Sequence, residues 1–274
     1  MKPRKFTYCR PDTVEEALSV LAQHGDDAVV LAGGQSLMPM LNLRLVDAPV
    51  ILDIGRLQEL QFIHAAGDWL EIGAAVTQAK LLAHPQLDDQ VPLLRRALPF
   101  VGHVQTRSRG TVCGTLAHAD PSSEIPLCLA TLGGQVVLRS ARGERALDAA
   151  DFQTGLLSTA RASDELIVAA RFPLRRAGQG VAFTEVARRH GDFAIVSLAA
   201  VVHDGRVALG VGGVADRPTV HAWPVAQATL DDTLNDFAWS LGGRDDIHAT
   251  AHYRRDLVRR LGRHVLEEAV ACCA

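Results

Sequence analysis

Ala28-Val-Val-Leu-Ala-Gly-Gly-Gln-Ser-Leu37 decides how the rest of the chain is read. Ala28 to Leu31 is an apolar run with the length of a short buried strand. Gly33 and Gly34 follow almost at once, then Gln35, Ser36 and Leu37. Glycine lacks a Cβ and tolerates positive φ, so a strand that runs into a glycine pair can turn successive amides toward one guest. Gln35 and Ser36 add hydrogen-bonding side chains beside those amides. A phosphate or diphosphate suits such a nest. The competing reading is an ordinary strand-to-helix turn.

A second run of small residues favours the first reading. Arg107-Ser-Arg-Gly-Thr-Val-Cys-Gly-Thr-Leu-Ala-His-Ala-Asp-Pro-Ser-Ser-Glu124 combines hydroxyls, glycines and two arginines. Thr111, Cys113, Gly114 and Thr115 allow close backbone approach, and Arg107 or Arg109 can offset phosphate charge. The two runs predict loops that grip a diphosphate from two sides. Neither is a G-x-x-x-x-G-K-[ST] phosphate loop.

Outward from these runs, Thr13 and Glu16 form a capping box ahead of Val14, Ala17, Leu18 and Leu21, and Gly25 stops that helix. Residues 49–54 read as a strand, so 1–54 form a β-α-β unit with the first glycine loop at the carboxyl end of its central strand. Two short strands around Gly67-Asp68 predict a hairpin. Short helices follow at Thr77 and Pro92, an apolar helix runs from Ser122 to Leu132, and strands cover 135–139 and 165–172. Residues 173–180 read as a linker. Beyond it, apolar runs 194–202 and 206–211 flank Asp204-Gly205, a strong hairpin dipeptide, and 226–240 and 249–270 carry helical patterns. The chain is therefore expected to be α+β. A first domain, 1–172, has parts 1–54 and 55–172, and a second, 173–274, is an antiparallel sheet covered by helices.

The 274 residues are 48% hydrophobic, enough for substantial cores. A net charge of −3 argues against a polyanionic partner or an anionic membrane surface, and 5% aromatic content argues against base stacking. No apolar run reaches membrane-spanning length, and the basic start leads into Phe6-Thr-Tyr-Cys-Arg-Pro rather than a signal core, which places the protein in the cytoplasm. Five cysteines without a CxxC pair predict free thiols and no zinc or iron–sulfur site of the chain's own.

Four further patterns are weighed against blander readings. Gly210-Val-Gly-Gly-Val-Ala215 has the spacing of a dinucleotide fingerprint, but Asp216-Arg-Pro218 blocks the helix that should follow, so it reads as a strand end. His248 and His252 lack a third ligand and read as a surface pair, and Cys272-Cys273 as a frayed terminus. His118 with Asp120, or with Cys113, lacks the partners of a catalytic constellation.

Ala32-Gly-Gly-Gln-Ser-Leu37 and Thr111-Val-Cys-Gly-Thr-Leu-Ala-His-Ala-Asp-Pro121 resemble the two flavin-binding loops of the FAD-binding medium subunit of molybdenum hydroxylases, the xanthine dehydrogenase and carbon monoxide dehydrogenase group. Val50-Ile-Leu-Asp-Ile54, Arg188-Arg-His-Gly-Asp-Phe-Ala194 and Tyr253-Arg-Arg-Asp-Leu257 extend the resemblance along nearly the whole chain. It implies a two-part PCMH-type FAD-binding domain followed by the C-terminal antiparallel sheet with helices. It also implies that Leu31, Ala32, Gly33, Gly34, Gln35, Ser36 and Leu37 wrap the FAD diphosphate, and that Thr111, Val112, Cys113, Gly114 and Thr115 complete the grip. Glu124 matches an acidic position that hydrogen-bonds the cofactor, Val101 an apolar position beside the adenine, and Ile167 a further apolar contact. Asp192 and Phe193 match a segment that approaches the flavin ring, where many relatives carry tyrosine.

Two departures stand out: Cys113 occupies a position that is commonly glycine, and a lysine found near Thr184 in some relatives is missing. Gln35 stands where related flavin oxidases have a histidine linked to FAD, so non-covalent FAD is expected. No metal ligand or catalytic residue is expected on this chain. The implied partners are an iron–sulfur small subunit and a molybdopterin large subunit, in a dimer of heterotrimers. The implied role is electron transfer from the iron–sulfur clusters through FAD to an external acceptor, with substrate oxidised on another subunit. A free-standing FAD oxidase of the same fold and a cofactor-free scaffold are the alternatives.

Overall fold

The computed structural model describes residues 2–225, 230–243 and 245–273. The first part contains β1 (Thr7–Cys9), α1 (Val14–His24), β2 (Ala28–Leu31), α2 (Leu37–Asn42) and β3 (Val50–Asp53). Thr13 caps α1, accepting from the Glu16 amide at 3.1 Å. The Glu16 carboxylate reaches back one residue further than a capping box requires, to the Asp12 amide at 2.8 Å. Val14, Ala17, Leu18 and Leu21 are the buried face of α1, and each large aliphatic side chain hidden this way contributes about 1.5–3 kcal/mol. The three strands are parallel in the order β1-β3-β2. The glycine loop therefore leaves an edge strand, not the expected central one. The edge position frees its backbone to meet another part of the chain.

The second part comprises β4 (Ile63–Ala66), β5 (Trp69–Gly73), α3 (Gln78–Leu82), α4 (Leu87–Gln90), α5 (Pro92–Ala97), α6 (Val104–Arg109), α7 (Val112–His118), α8 (Glu124–Leu132), β6 (Gln135–Ser140), β7 (Gly143–Asp148), α9 (Ala149–Phe152), β8 (Gln153–Gly155), β9 (Ser158–Thr159) and β10 (Leu166–Pro173). Its main sheet is antiparallel in the order β4-β5-β10-β6-β7. Ala66 pairs with Trp69 across Gly67-Asp68, the predicted hairpin. The second small-residue run is not a loop as expected: most of it is α6 and α7, joined at Gly110 and Thr111. Thr111 starts α7 by accepting from the Gly114 amide at 2.9 Å, and a lost cap of this kind costs about 1 kcal/mol.

The third part holds β11 (Gly180–Val186), β12 (Val196–His203), β13 (Arg206–Gly212), β14 (Thr219–Pro224), α10 (Leu230–Ser240) and α11 (Ala251–Ala271). The strands form an antiparallel meander, with a tight turn at Asp204-Gly205 where both φ values are positive, 48° and 68°. That is the conformation an Asp-Gly hairpin turn needs. Positions 226–229, where a helix was expected to begin, lie outside the described residues. The residues read as a linker run directly into β11, which sequence reading missed.

One face of this sheet carries Ala182, Val196, Leu198, Ala200 and Val202 into a core with α10 and α11. The other face gives Val181, Phe183, Ala199 and Val201 to the apolar core that runs through the first two parts. Gly210 and Gly212 sit under α8, where a Cβ would lie 2.0 Å from Thr131 Oγ1 or 2.6 Å from Ser197 Oγ. This stretch is the strand end the proline predicted, and its glycines let a helix lie on a sheet. Arg254, 3% exposed, donates to the carbonyls of Ile195 and Gly213 and pairs with Asp246, fastening the start of α11 to the loops around the sheet. Among the described residues no helix is long and apolar enough to cross a membrane.

Candidate functional site: a cleft between two glycine segments

The two glycine segments touch. A Cβ on Gly33 would lie 2.2 Å from Arg109 O and 2.7 Å from Gly110 Cα, and one on Gly114 would lie 3.9 Å from Ala32 Cβ. Only glycine permits the first approach, because both clashing atoms belong to backbone. Gly34 takes φ of 70°, which turns the chain into α2. Among the described residues, the amides of Gly33, Gly34, Gln35 and Ser36 donate to no protein acceptor. Gln35 folds over its own loop, donating from Nε2 to Gly33 O at 3.2 Å.

The start of α3 holds the second segment in place. Thr77 bridges to Thr111, the Gln78 amide donates to Gly110 O at 2.8 Å, and Gln78 Nε2 donates to Thr115 Oγ1 at 2.9 Å. Gln78 is 3% exposed and its Oε1 is buried without a partner. A buried acceptor of this kind is costly unless a ligand donor meets it.

Both segments open on a cleft of about 770 Å³, within the usual size of small-molecule and cofactor sites. Its wall includes Ala32, Gly33, Gly34, Gln35, Ser36 and Leu37 from one side and Thr111, Cys113, Gly114 and Thr115 from the other. Val101, Glu124, Ile167, Asp192 and Phe193 join them. Leu31 and Val112 are the sequence-predicted residues that do not line it. Leu31 packs in a small core beside Leu41 and Ile51, its carbonyl taking the Ile54 amide at 2.9 Å. Val112 is wholly buried in the main core.

The arginines predicted to face phosphate do not. Arg107 donates to the carbonyls of Pro99, Val101 and Gly102, holding the turn before α6, and Arg109 is exposed and outside the cleft wall. At the two glycine segments, backbone amides rather than Arg107 or Arg109 are the donors turned to the cleft.

Cys113 is 2% exposed and directs Sγ toward Ile72 O at 3.7 Å, so its side chain fills core. Burial pushes its thiol up to about 12, which removes it as a nucleophile. His118 lines the cleft, while Asp120 caps its own turn by accepting the Ser122 amide at 2.8 Å. No acid–base pair forms. Asp192 pairs with Arg189 at 3.2 Å, and Phe193, 61% exposed, stands at the rim.

Sequence reading missed Asp26, Gln78 and Arg161 in the cleft wall. Arg161 is spent on the carbonyls of Ala162, Ser163 and Glu165. Glu124 is 5% exposed, and burial raises its carboxyl to about 7; its own amide works against the rise and Asp120 adds to it. Among the described residues no group of three or more histidine, cysteine or carboxylate side chains can hold a metal, and His248 and His252 are exposed. Unengaged amides, an all-backbone clash at Gly33 and a partnerless acceptor at Gln78 fit a dinucleotide cofactor with a diphosphate centre.

Comparison with known proteins points the same way. Residues 4–175 match the family described as "FAD binding domain in molybdopterin dehydrogenase". The chain is 42% identical over 203 residues to the caffeine dehydrogenase subunit beta of Pseudomonas sp. (strain CBB1), covering 74% of this chain and 69% of that one. It is 34% identical to the nicotine 6-hydroxylase medium subunit of Paenarthrobacter nicotinovorans, covering 99% of each. A solved carbon monoxide dehydrogenase from Hydrogenophaga pseudoflava superposes with a TM-score of 0.93 at 29% identity, covering 100% of both chains. The chain therefore belongs to the family of FAD-binding domains of molybdopterin dehydrogenases.

Proposed function

We propose that this chain is the FAD-carrying electron-transfer subunit of a multi-subunit molybdenum hydroxylase. The observation that carries the reading is the contact of the two glycine segments, with the Gly33 Cβ position 2.2 Å from Arg109 O. Ala32 to Ser36 hold the diphosphate through backbone amides, and Thr111, Gly114 and Thr115 close the opposite side, the Thr115 hydroxyl being fixed between Gln78 Nε2 and Thr111 O. Val101 and Ile167 give the cofactor apolar contacts, Glu124 accepts a hydrogen bond from it, and Asp192 and Phe193 border the flavin ring. FAD supplies the redox chemistry; this chain's residues bind it, orient it and limit water around it. Gln35 cannot form the histidyl link of related oxidases, so the cofactor is held non-covalently.

Residues 1–172 form the cofactor domain, in subdomains 1–54 and 55–172, and residues 173–274 form the second domain. An iron–sulfur small subunit delivers electrons, a molybdopterin large subunit oxidises the substrate, and an external acceptor receives the electrons. The assembly is a dimer of heterotrimers in the cytoplasm.

Affinity purification of the tagged chain with its neighbouring gene products tests this. Flavin on this chain, iron–sulfur and molybdenum on the others, and flavin released into the supernatant by acid are the expected results. Molybdenum on this chain alone, or flavin retained in the acid pellet, refutes the respective part.

A further inference from the structure

The cleft continues past the glycine segments along the edge strand β2. Ala28, Val29 and Val30 line it, and so do Gly25 and Asp26 in the turn before the strand. A four-residue strand covers about 10 Å from first Cα to last, comparable with the reach of a nucleoside from its phosphate. Contacts give the order of the wall. The turn that holds Asp26 sits beside the 161–165 loop, a Cβ on Gly25 lying 3.8 Å from Ser163 Oγ. From there β2 leads to Gly33, against Gly110. Helix α6 leads on to Gly102, where a Cβ would lie 3.1 Å from Thr106, and then to Gly191, where one would lie 2.9 Å from Gly102 O. Asp26 and Arg161 are therefore at the far end of the cleft from Asp192 and Phe193.

Polar groups at that end are left without partners. The three bonds of Arg161 to the carbonyls of Ala162, Ser163 and Glu165 all come from Nη1. Its Nε and Nη2 donate to nothing among the described residues and are not buried. The Asp26 carboxylate makes no hydrogen bond or ion pair among the described residues. The two other carboxylates that act on Arg161 are committed, Glu165 to Arg145 at 2.6 Å and Asp164 to Arg142 at 3.1 Å. Burial draws the Arg161 guanidinium below its ordinary value against the pull of Glu165, Asp26 and Asp164, and an arginine stays charged regardless. Asp26 thus acts on Arg161 without pairing with it, and both open on the cleft. Ala28, Leu166 and Ile167, all buried and apolar, form the wall beside them.

We propose that Asp26 and Arg161 read the adenine of the bound dinucleotide, Asp26 accepting from its exocyclic amino group and Arg161 donating to the neighbouring ring nitrogen. The proposal rests on the FAD reading, which sets the flavin against Asp192 and Phe193. It places the adenine at the opposite end from Val101, the residue expected beside it. A free acceptor next to a free donor complements the edge of adenine, which offers an amino donor beside a ring-nitrogen acceptor. Hypoxanthine carries a carbonyl oxygen where adenine has the amino group, so Asp26 would face an acceptor and stay unpaired. A site built to hydrogen-bond a ligand group rejects the analogue that lacks it. Ala28, Leu166 and Ile167 take the faces of the ring.

Titration of the full FAD-free chain with FAD and with flavin hypoxanthine dinucleotide, followed by flavin fluorescence, tests this, because the two ligands differ only at the base. The wild type is expected to bind FAD about 5- to 150-fold more tightly than the analogue. Asp26→Ala removes an exposed side chain that has no protein partner, so its ratio falls toward one while its melting temperature stays that of the wild type. Arg161→Lys keeps a cation for the three carbonyls and lowers the ratio as well. Equal wild-type affinity for the two ligands overturns the proposal and leaves FAD binding standing; a ratio that persists in both variants does the same. Calorimetry with ADP and IDP supplies the arm without flavin. A chain that takes neither flavin ligand but prefers ADP to IDP overturns the FAD reading and keeps the adenine site. One that binds none of the four overturns both.

Discussion

Gly33→Ala is the sharpest test of the cleft. The added methyl would meet Arg109 O at 2.2 Å, Gly110 Cα at 2.7 Å and Arg109 C at 2.9 Å, all backbone. No rotamer change relieves such a clash, so the two segments must part by roughly 1 Å before the contact becomes tolerable. Overpacking of this kind costs about 1–3 kcal/mol. Taken wholly from binding, that is about a 5- to 150-fold weaker affinity for FAD; taken partly from folding, it appears as a lower melting temperature.

Two other substitutions separate this effect from general strain. Gly34→Ala forces an alanine to φ of 70° beside the flexible ends of Leu31 and Met38 at 3.2 Å, a penalty of about 1–2 kcal/mol. Gly67→Ala carries a similar backbone penalty at φ of 57° but meets nothing within 4 Å, in the β4–β5 turn. Titrating FAD into each FAD-free variant and following flavin fluorescence, alongside thermal melts, gives both quantities. The expected order of lost affinity is Gly33→Ala, then Gly34→Ala, with Gly67→Ala unchanged. A Gly33→Ala protein with wild-type affinity and melting temperature refutes the reasoning, as does a Gly67→Ala protein that loses affinity equally.

Two more outcomes are expected. In the FAD-free chain, Glu124 and Glu185 retain protons to about 7 and about 8, whereas unfolded glutamates ionise near 4.5. The folded state then binds more protons across that window, so these two buried carboxyls make stability fall as pH rises through it. For Glu124, 5% exposed, the fall is about 3 kcal/mol. Denaturant melts at several pH values should show E185Q gaining on the wild type toward pH 8, and a constant difference between them contradicts the assignment. In native thiol labelling read by mass spectrometry, Cys113 and Cys128, both buried, stay unmodified, while the partly exposed Cys9, Cys272 and Cys273 react. Rapid labelling of Cys113 in the folded chain would mean that its side chain does not fill the core.

The sequence announces what local chemistry decides and is silent on what distant contacts decide. Thr13, Gly25 and Asp204-Gly205 mark ends and turns because capping and positive φ are local demands, and the structure meets each of them. The glycine loop after β2 was legible for the same reason. Its place at a sheet edge was not, since strand order depends on how β3 inserts between β1 and β2. Helix α7 was read as loop because threonines and a glycine mask its short buried face of Val112, Cys113 and Leu116. Strand β11 was read in part as linker: Gly180, Val181, Ala182 and Phe183 are all buried, so the alternation that betrays a half-exposed strand is absent. Charge alone makes Arg107 or Arg109 a candidate for phosphate, yet three carbonyls of the preceding turn claim Arg107. Glu185 carries no sequence signal, because the residue set opposite it, Ser197, lies on a different strand, β12.

Gly33 and the Gly210–Gly212 pair look alike in sequence and answer the same physical demand, a close approach that a Cβ would forbid. They differ in what approaches. At Gly33 it is the second segment of the cleft wall; at Gly210 it is α8, whose Thr131 and Leu127 would collide with a side chain there, and at Gly212 it is Ser197 of the neighbouring strand β12. The two are nonetheless linked, because α8 begins with Glu124 on the cleft wall. The third sheet, which lies beyond the family match at 4–175, thus shapes the site twice. It supplies the loop that carries Asp192 and Phe193 to the rim, and it sets the depth of the helix that brings Glu124 to the wall.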